Sequence, residues 1–231
     1  MLGEAFLLCA FYESNTNSKK FKFPNANFNS FPDGKSITNH ISNDNSTNSE
    51  NKNKIVELGG DLNTVHLFVR GGFIVPYQNV GEKYIINTKQ LRNEKINLII
   101  NIDNYNQSKG ELFYDNDEIN TIEENKYYRV EMFYSEKKIT FNTFKNNLES
   151  YEYQDHILGK IELWRANQIF KMNDSKEEKT KMVVMNVKYH DNANNKNVEG
   201  IYDLNNDKIV FDVSDNKKEI SIFDINEITF N

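Results

Sequence analysis

Apolar residues along this chain fall in short runs of four to seven positions, mostly alternating with polar ones, and turn residues separate them. The run Ile96, Leu98, Ile100, Ile102 alternates with Asn97, Asn101 and Asp103, which predicts a half-buried strand. Tyr128, Val130, Met132 and Tyr134 share one face of another. Ile139 with Phe141, Ile161 with Leu163, Val183 with Met185, Val187 and Tyr189, Ile209 with Phe211 and Val213, and Ile220 with Ile222 continue the pattern. Strands at such intervals predict a β-sandwich. No stretch holds a helical period long enough to compete.

The first part of the chain reads differently. Glu4 to Tyr12 is continuously apolar, as in a strand buried on both faces. Lys19 to Phe23 alternates and closes at Pro24 and Asn25. Residues 36–54 are almost wholly Ser, Thr, Asn, Asp, Glu and Lys, too polar to offset the entropy of ordering them, and are expected to form a disordered surface insertion. Pairing resumes at Ile55 to Leu58. The stretch Val65 to Gln78 then reads as strand, tight Gly71–Gly72 turn or bulge, and strand, completing a small sheet. Pro76 removes an N–H where the second run stops, and Arg70 between the runs calls for a carboxylate or carbonyl partner. The predicted architecture is all-β. A small proximal antiparallel β-sheet domain covers residues 1–93, and a distal β-sandwich covers residues 94–231.

Composition narrows the functional classes. The chain has 231 residues, enough for two modest cores, and its 13% aromatic content suits β structure. A net charge of -6 with acids and bases interspersed offers no basic stripe for nucleic acid. The single cysteine, Cys9, sits in an apolar run and reads as a buried, inert thiol. No apolar run is long enough to span a bilayer, and Glu4 with no basic residues before it does not make a secretion signal.

Four segments, in order, carry a family resemblance. They are Met1 to Leu8 (MLGEAFLL); His66, Val69, Arg70, Gly71, Gly72, Phe73, Ile74, Pro76 and Gln78; Thr88 with Arg92; and Gly110 to Asp115 (GELFYD). Together they resemble the region following the catalytic barrel in glycoside hydrolase family 31, the maltase-glucoamylase, sucrase-isomaltase and lysosomal α-glucosidase group. The resemblance covers about the first half; the second half matches the family's last domain in length and strand pattern only. The chain departs from the family at Phe11, where Pro is usual, and at Asp115 to Ile119, which replaces an Asp-Asp-Gly-Glu-Ser turn. Met1 then reads as an internal residue, and the reading frame is expected to continue upstream. The resemblance implies a lysosomal, secretory or extracellular setting.

Family enzymes hydrolyse α-linked glucose with retention, using two Asp residues in Trp-x-Asp-Met-Asn-Glu and Gly-Asp-Asn motifs of the barrel. Neither motif occurs here: Trp164 lies in a β pattern, and Asp61 in Gly60-Asp61-Leu62-Asn63 belongs to a turn. No catalytic, cofactor-binding or metal-ligating residue is therefore expected, and the signature residues His66, Arg70, Gly71, Gly72, Pro76 and Gln78 are expected to be structural. His40, His66, His156 and His190 lack ligand spacing, and Asp115, Asp117 and Glu118 read as a solvated turn. Tyr127, Phe133 and Tyr151 could be sugar-stacking platforms, but are expected to fill the second face of the sandwich. The implied reading is the non-catalytic C-terminal portion of a family 31 α-glucosidase, with the missing (β/α)8 barrel as partner and α-glucan or oligosaccharide as a further one. The rival is a free-standing carbohydrate- or partner-binding β module.

Overall fold

The computed structural model describes residues 1–13, 17–37, 54–79, 81, 83–115, 127–145, 156–170, 183–189, 196–213, 220–222 and 225–231. Most of the 36–54 insertion, with His40, Asp117, Glu118, Tyr151 and His190, lies outside them. The all-β expectation holds: helices are confined to Thr88–Leu91 (α1) and Ala166–Phe170 (α2) among the described residues.

The proximal part contains β1 (Phe6–Ala10), β2 (Ser18–Phe23), β3 (Phe28–Ser30), β4 (Lys54–Gly59) and β5 (Val65–Arg70). A three-stranded antiparallel sheet runs β1-β5-β3, and β2 pairs with β4 as a separate ribbon. Leu7, Cys9, Phe11, Phe23, Val56 and Phe68 are buried between them. Phe23 meets Phe28 and Phe68 edge to face at 5.4 and 5.2 Å, the arrangement that aromatic quadrupoles favour.

Cys9 lies in this core at 3% exposure, and burial pushes its thiol up to about 11. The thiolate is the reactive form. A disulfide reagent at about pH 8 is expected to leave the native protein unlabelled and to label it after unfolding in urea; rapid labelling of the native protein would contradict the packing.

Contrary to the two-sided burial expected for the first strand, β1 buries only the Leu7 and Cys9 side, and Leu8 stays 43% exposed. On its outer side Phe6 packs against Val69, Val75, Ile99 and Trp164, and Leu8 has no such cover among the described residues.

The distal part is one sheet rather than the two layers of a sandwich. Its strands are β6 (Phe73–Gln78), β7 (Ile96–Asn101), β8 (Ser108–Asp115), β9 (Tyr127–Ser135), β10 (Lys138–Lys145), β11 (Leu158–Trp164), β12 (Val183–Tyr189), β13 (Lys196–Asp203), β14 (Lys208–Asp212) and β15 (Ile225–Phe230). They close in the order β10-β15-β12-β13-β14-β11-β7-β6-β8-β9, with β9 returning to β10. Alternation specifies which face is buried, and a barrel and a sandwich bury the same positions. The strand positions assigned to the core, such as Val130, Met132, Ile161, Met185 and Phe211, do fill one interior, and Ile220 and Ile222 join it without forming the strand expected of them.

Two further corrections follow from pairing. β5 and β6 do not pair with each other: β5 lies between β1 and β3, whereas β6 pairs antiparallel with β7 and touches β8 at Phe73 opposite Lys109. The Gly71–Gly72 turn therefore hands the chain from one sheet to another. β7 is buried along its whole length rather than on one face. Ile96, Leu98 and Ile100 line the barrel interior, while Ile99 joins Val69, Val75 and Trp164 in a small core at the junction of the two parts. Asn101 faces that junction and donates from its amide to the Val69 carbonyl at 2.9 Å, while Asn97 stays within the closed sheet, its side-chain oxygen accepting from the Lys160 N–H of β11 at 2.8 Å.

Candidate functional site

Of the signature residues, Gly71 and Gly72 sit where the two parts meet. Gly72 has φ +94°, a conformation that costs other residues strain, and Gly71 is close-packed, since an added Cβ would lie 2.9 Å from the Ile102 carbonyl oxygen. Their N–H groups donate to the carbonyls of Asn27 and Asn101 at 2.8 and 2.7 Å, tying the turn to both parts. Gly72→Val is expected to lower stability by about 1–3 kcal/mol. Tyr84→Ala, at a position 88% exposed, should stay within about 0.5 kcal/mol. Equal urea midpoints for the two variants would remove the turn from this account.

His66 points its Nε2 at the Gly59 carbonyl, 2.8 Å away, and a carbonyl only accepts, so Nε2 carries the proton. Its ring stacks on Phe68 at 6.2 Å. Pro76 lies inside β6 opposite Leu98, so the strand runs two residues beyond it to Gln78. β6 meets its second neighbour near its start only, which leaves an edge where a missing N–H is tolerated. Gln78 donates from its amide to the carbonyls of Leu91 and Glu94, at 2.9 and 2.8 Å, satisfying groups that the end of α1 leaves open. Asn87 caps the other end by accepting from the Gln90 N–H.

Arg92, the residue after α1, donates to the Asp115 carbonyl at 2.7 Å and its carboxylate at 2.9 Å, and lies 4.7 Å above the Tyr114 ring. Segments recognised separately in sequence, around Gln78, Thr88 to Arg92 and Gly110 to Asp115, thus converge on one network.

Arg70 departs from expectation. It is half-buried, its guanidinium lies 5.8 Å from the Phe73 ring, and no carboxylate or carbonyl partner accompanies it among the described residues. Partial exposure to water removes the cost that full burial would impose.

Asp61 organises the turn before β5, accepting from the Asn63 N–H and the Thr64 hydroxyl at 2.9 Å each. Among the described residues no group of three or more His, Cys, Asp or Glu is placed to hold a metal. No described helix is long and apolar enough to cross a membrane.

A polar cleft of about 780 Å³ lies beside Tyr77, Lys83, Glu94, Asn97, Lys160 and Glu162. Its groups are engaged with one another: Glu162 accepts from Tyr77 at 3.2 Å, Trp164 Nε1 at 3.0 Å and Lys208 at 3.0 Å, and Lys83 holds Glu94 at 2.6 Å. Burial, reinforced by the Glu162 charge, raises the Tyr77 hydroxyl well above the ordinary phenol range.

Tyr127 and Phe133 do not fill a second inner face. A closed sheet has one interior, and Tyr128, Val130, Met132 and Tyr134 occupy it from β9. The alternate residues Tyr127, Arg129, Glu131 and Phe133 point outward, and Phe113 and Phe144 lie on the same outer side of β8 and β10. The latter two were not singled out in the sequence, although their register beside Arg129 follows from the alternation.

Fold and sequence together make this chain similar to a part of the glycoside hydrolases of family 31, as the resemblance implied. Over 168 residues, 72% of its length, the chain is 27% identical to human "probable maltase-glucoamylase 2", of which it covers 6%. A glucosidase II α subunit bound to α3-Glc2 superposes with a TM-score of 0.72 at 13% identity, covering 98% of this chain and 22% of that one. The family 31 dextranase of Flavobacterium johnsoniae, complexed with glucose, gives 0.61 at 16% identity, covering 100% and 26%. No family model matches the chain. It spans about a quarter or less of the length of these relatives.

Proposed function

We propose that this chain acts as the non-catalytic C-terminal portion of a family 31 α-glucosidase, supporting the catalytic barrel rather than cutting glycosidic bonds itself. One observation carries the reading: the part of the outer face of β1 and β5 beyond the junction core. The Phe6 and Val69 end of this face packs into that core, while Leu8 and Ala10 stand opposite Leu67 and Val65. Leu8 and Val65 are 43% and 59% exposed, and Leu2 beside them 55%. A contiguous apolar face of this kind marks a lost or awaited partner. A barrel seated on this face would cover the apolar strip.

The division of the chain is part of the proposal. The distal folding unit begins at Phe73 rather than near Asn93, because β6 contributes its hydrogen bonds to the closed sheet. The Gly71–Gly72 turn acts by holding the two units in register, while the Gln78 and Arg92 bonds fasten α1 and its flanks within the distal one.

The activity test is direct. The purified 231-residue chain is expected to release no glucose from maltose and no chromophore from an aryl α-glucoside, because retaining hydrolysis needs two positioned carboxyl groups across the bond. Turnover that follows the chain through purification and disappears in a variant of one of its own carboxylates would overturn the reading.

A further inference from the structure

We infer that the outer face of β8, β9 and β10 is a binding surface for a neutral oligosaccharide of hexopyranosyl units. The inference does not depend on the support role, since this face and the β1/β5 face belong to different sheets.

Phe113, Arg129 and Phe144 stand opposite one another across the three strands, so the phenyl rings flank the guanidinium at about two strand spacings, roughly 10 Å apart. Tyr127 extends this row by stacking on Phe113, with centroids 5.1 Å apart and ring planes 29° from parallel. Phe133 lies farther along on the same face. The three phenylalanines are 43–46% exposed. Phenylalanine has no polar tip, so half-exposed rings in one patch are unfavourable unless something seats on them, whereas the outward positions of such a sheet are ordinarily polar. Closure of the sheet leaves the face, not an edge, as the available surface.

The polar groups among the rings indicate what seats there. Arg129 holds Glu111 in a two-pronged pair at 2.8 and 3.0 Å and reaches Glu131 at 2.9 Å. Arg129 and Glu111 remain 42% and 48% exposed in their side chains, leaving N–H donors and carboxylate lone pairs toward solvent. The positive charges of Arg129 and Lys109 balance the negative charges of Glu111 and Glu131 on this face, and Asp115, opposite Tyr127, is paired with Arg92. A balanced face gives no net attraction for nucleic acid, phosphate or a strongly charged protein.

A pyranose ring matches what remains. It presents a C–H face to an aromatic ring and a rim of hydroxyls to planar donors and acceptors, and it carries no charge. A second copy of the chain fits less well, because stable interfaces bury about 800 Å² per partner around an apolar centre, and here charged groups interrupt the rings.

The test is a calorimetric titration of the 231-residue chain with maltoheptaose and, separately, isomaltoheptaose, run alongside light scattering. At least one of them is expected to bind saturably. Phe113→Ala and Phe144→Ala should each weaken that binding about tenfold, equivalent to about 1.4 kcal/mol. Arg129→Lys should weaken it severalfold by losing the planar fork, and Ile201→Ala, 73% exposed on β13, should leave it unchanged. All four positions are exposed or partly so, and unchanged thermal melts would show that the variants fold. The inference is overturned if neither oligosaccharide binds saturably or if the phenylalanine variants bind as the parent does. It is equally overturned if those variants alter only self-association, which would make the face a contact between copies.

Discussion

Truncating Trp164 to alanine is expected to lower the unfolding free energy by about 3–5 kcal/mol, the range for removing a fully buried large aromatic side chain. Trp164 has no exposed surface and sits among Val69, Val75 and Ile99 where the two parts of the chain meet. Gly34 lies flat against its ring: an added Cβ there would be 3.0 Å from the indole. The variant would therefore open a cavity between the loop carrying Gly34 and the closed sheet, and would take one donor from Glu162. Trp164→Phe should cost less, because a ring still fills most of the space and Glu162 keeps Tyr77 and Lys208. Urea unfolding followed by far-ultraviolet circular dichroism reads both variants, since the chain's one tryptophan is the residue removed. A loss below about 1 kcal/mol for the alanine variant would mean that the junction is not packed as described.

A comparable loss is expected for Gly110→Val, by the opposite mechanism. An added Cβ at Gly110 would overlap the Ile74 carbonyl oxygen and press on the Ile74 side chain, at the seam where β8 meets β6. Backbone cannot move aside as a flexible side chain does, so the cost should lie at or above the top of the usual overpacking range of about 1–3 kcal/mol. Lys109→Ala, one residue earlier and pointing to solvent, should change stability by no more than about 0.5 kcal/mol. If Gly110→Val melts with the parent, β6 and β8 are not in contact, and the sheet is open at that point.

Gly110 also illustrates what the sequence made legible. Its place in the Gly-x-Leu-aromatic-aromatic-Asp block was visible, but why a glycine is required there depends on β6, more than thirty residues earlier, arriving alongside β8. The period-2 pattern correctly selected the interior residues of β9, β11, β12 and β14. It could not distinguish one closed sheet from two stacked ones, because both bury alternate residues. β7 misled for a related reason: Asn97 and Asn101 look like a solvent face, and only the structure shows Asn97 bonding the neighbouring β11 at Lys160 and Asn101 bonding Val69 across the junction. The Gly71–Gly72 turn was legible as a special backbone site, but not as a crossing between sheets, since a hairpin and a crossing place the same demands on the glycines.

For the site, the sequence identified Gln78, Arg92 and Asp115 as notable and gave no indication that all three are tied to α1. The tie arises because α1 sets the Leu91 carbonyl against Gln78 and Arg92 against the end of β8. The outward aromatic row was half legible: Tyr127 and Phe133 were noticed, while Phe113 and Phe144 acquire meaning from their register with Arg129.

The central claim is that the β1/β5 face is built to be covered by a catalytic barrel, and static light scattering of the 231-residue chain over a concentration series tests it most directly. The parent is expected to self-associate as concentration rises. Leu8→Ser combined with Val65→Thr should suppress that association without lowering the thermal midpoint, since both side chains are 43% or more exposed. A parent chain that stays monomeric throughout the series, or association that the double variant leaves unchanged, would contradict the claim.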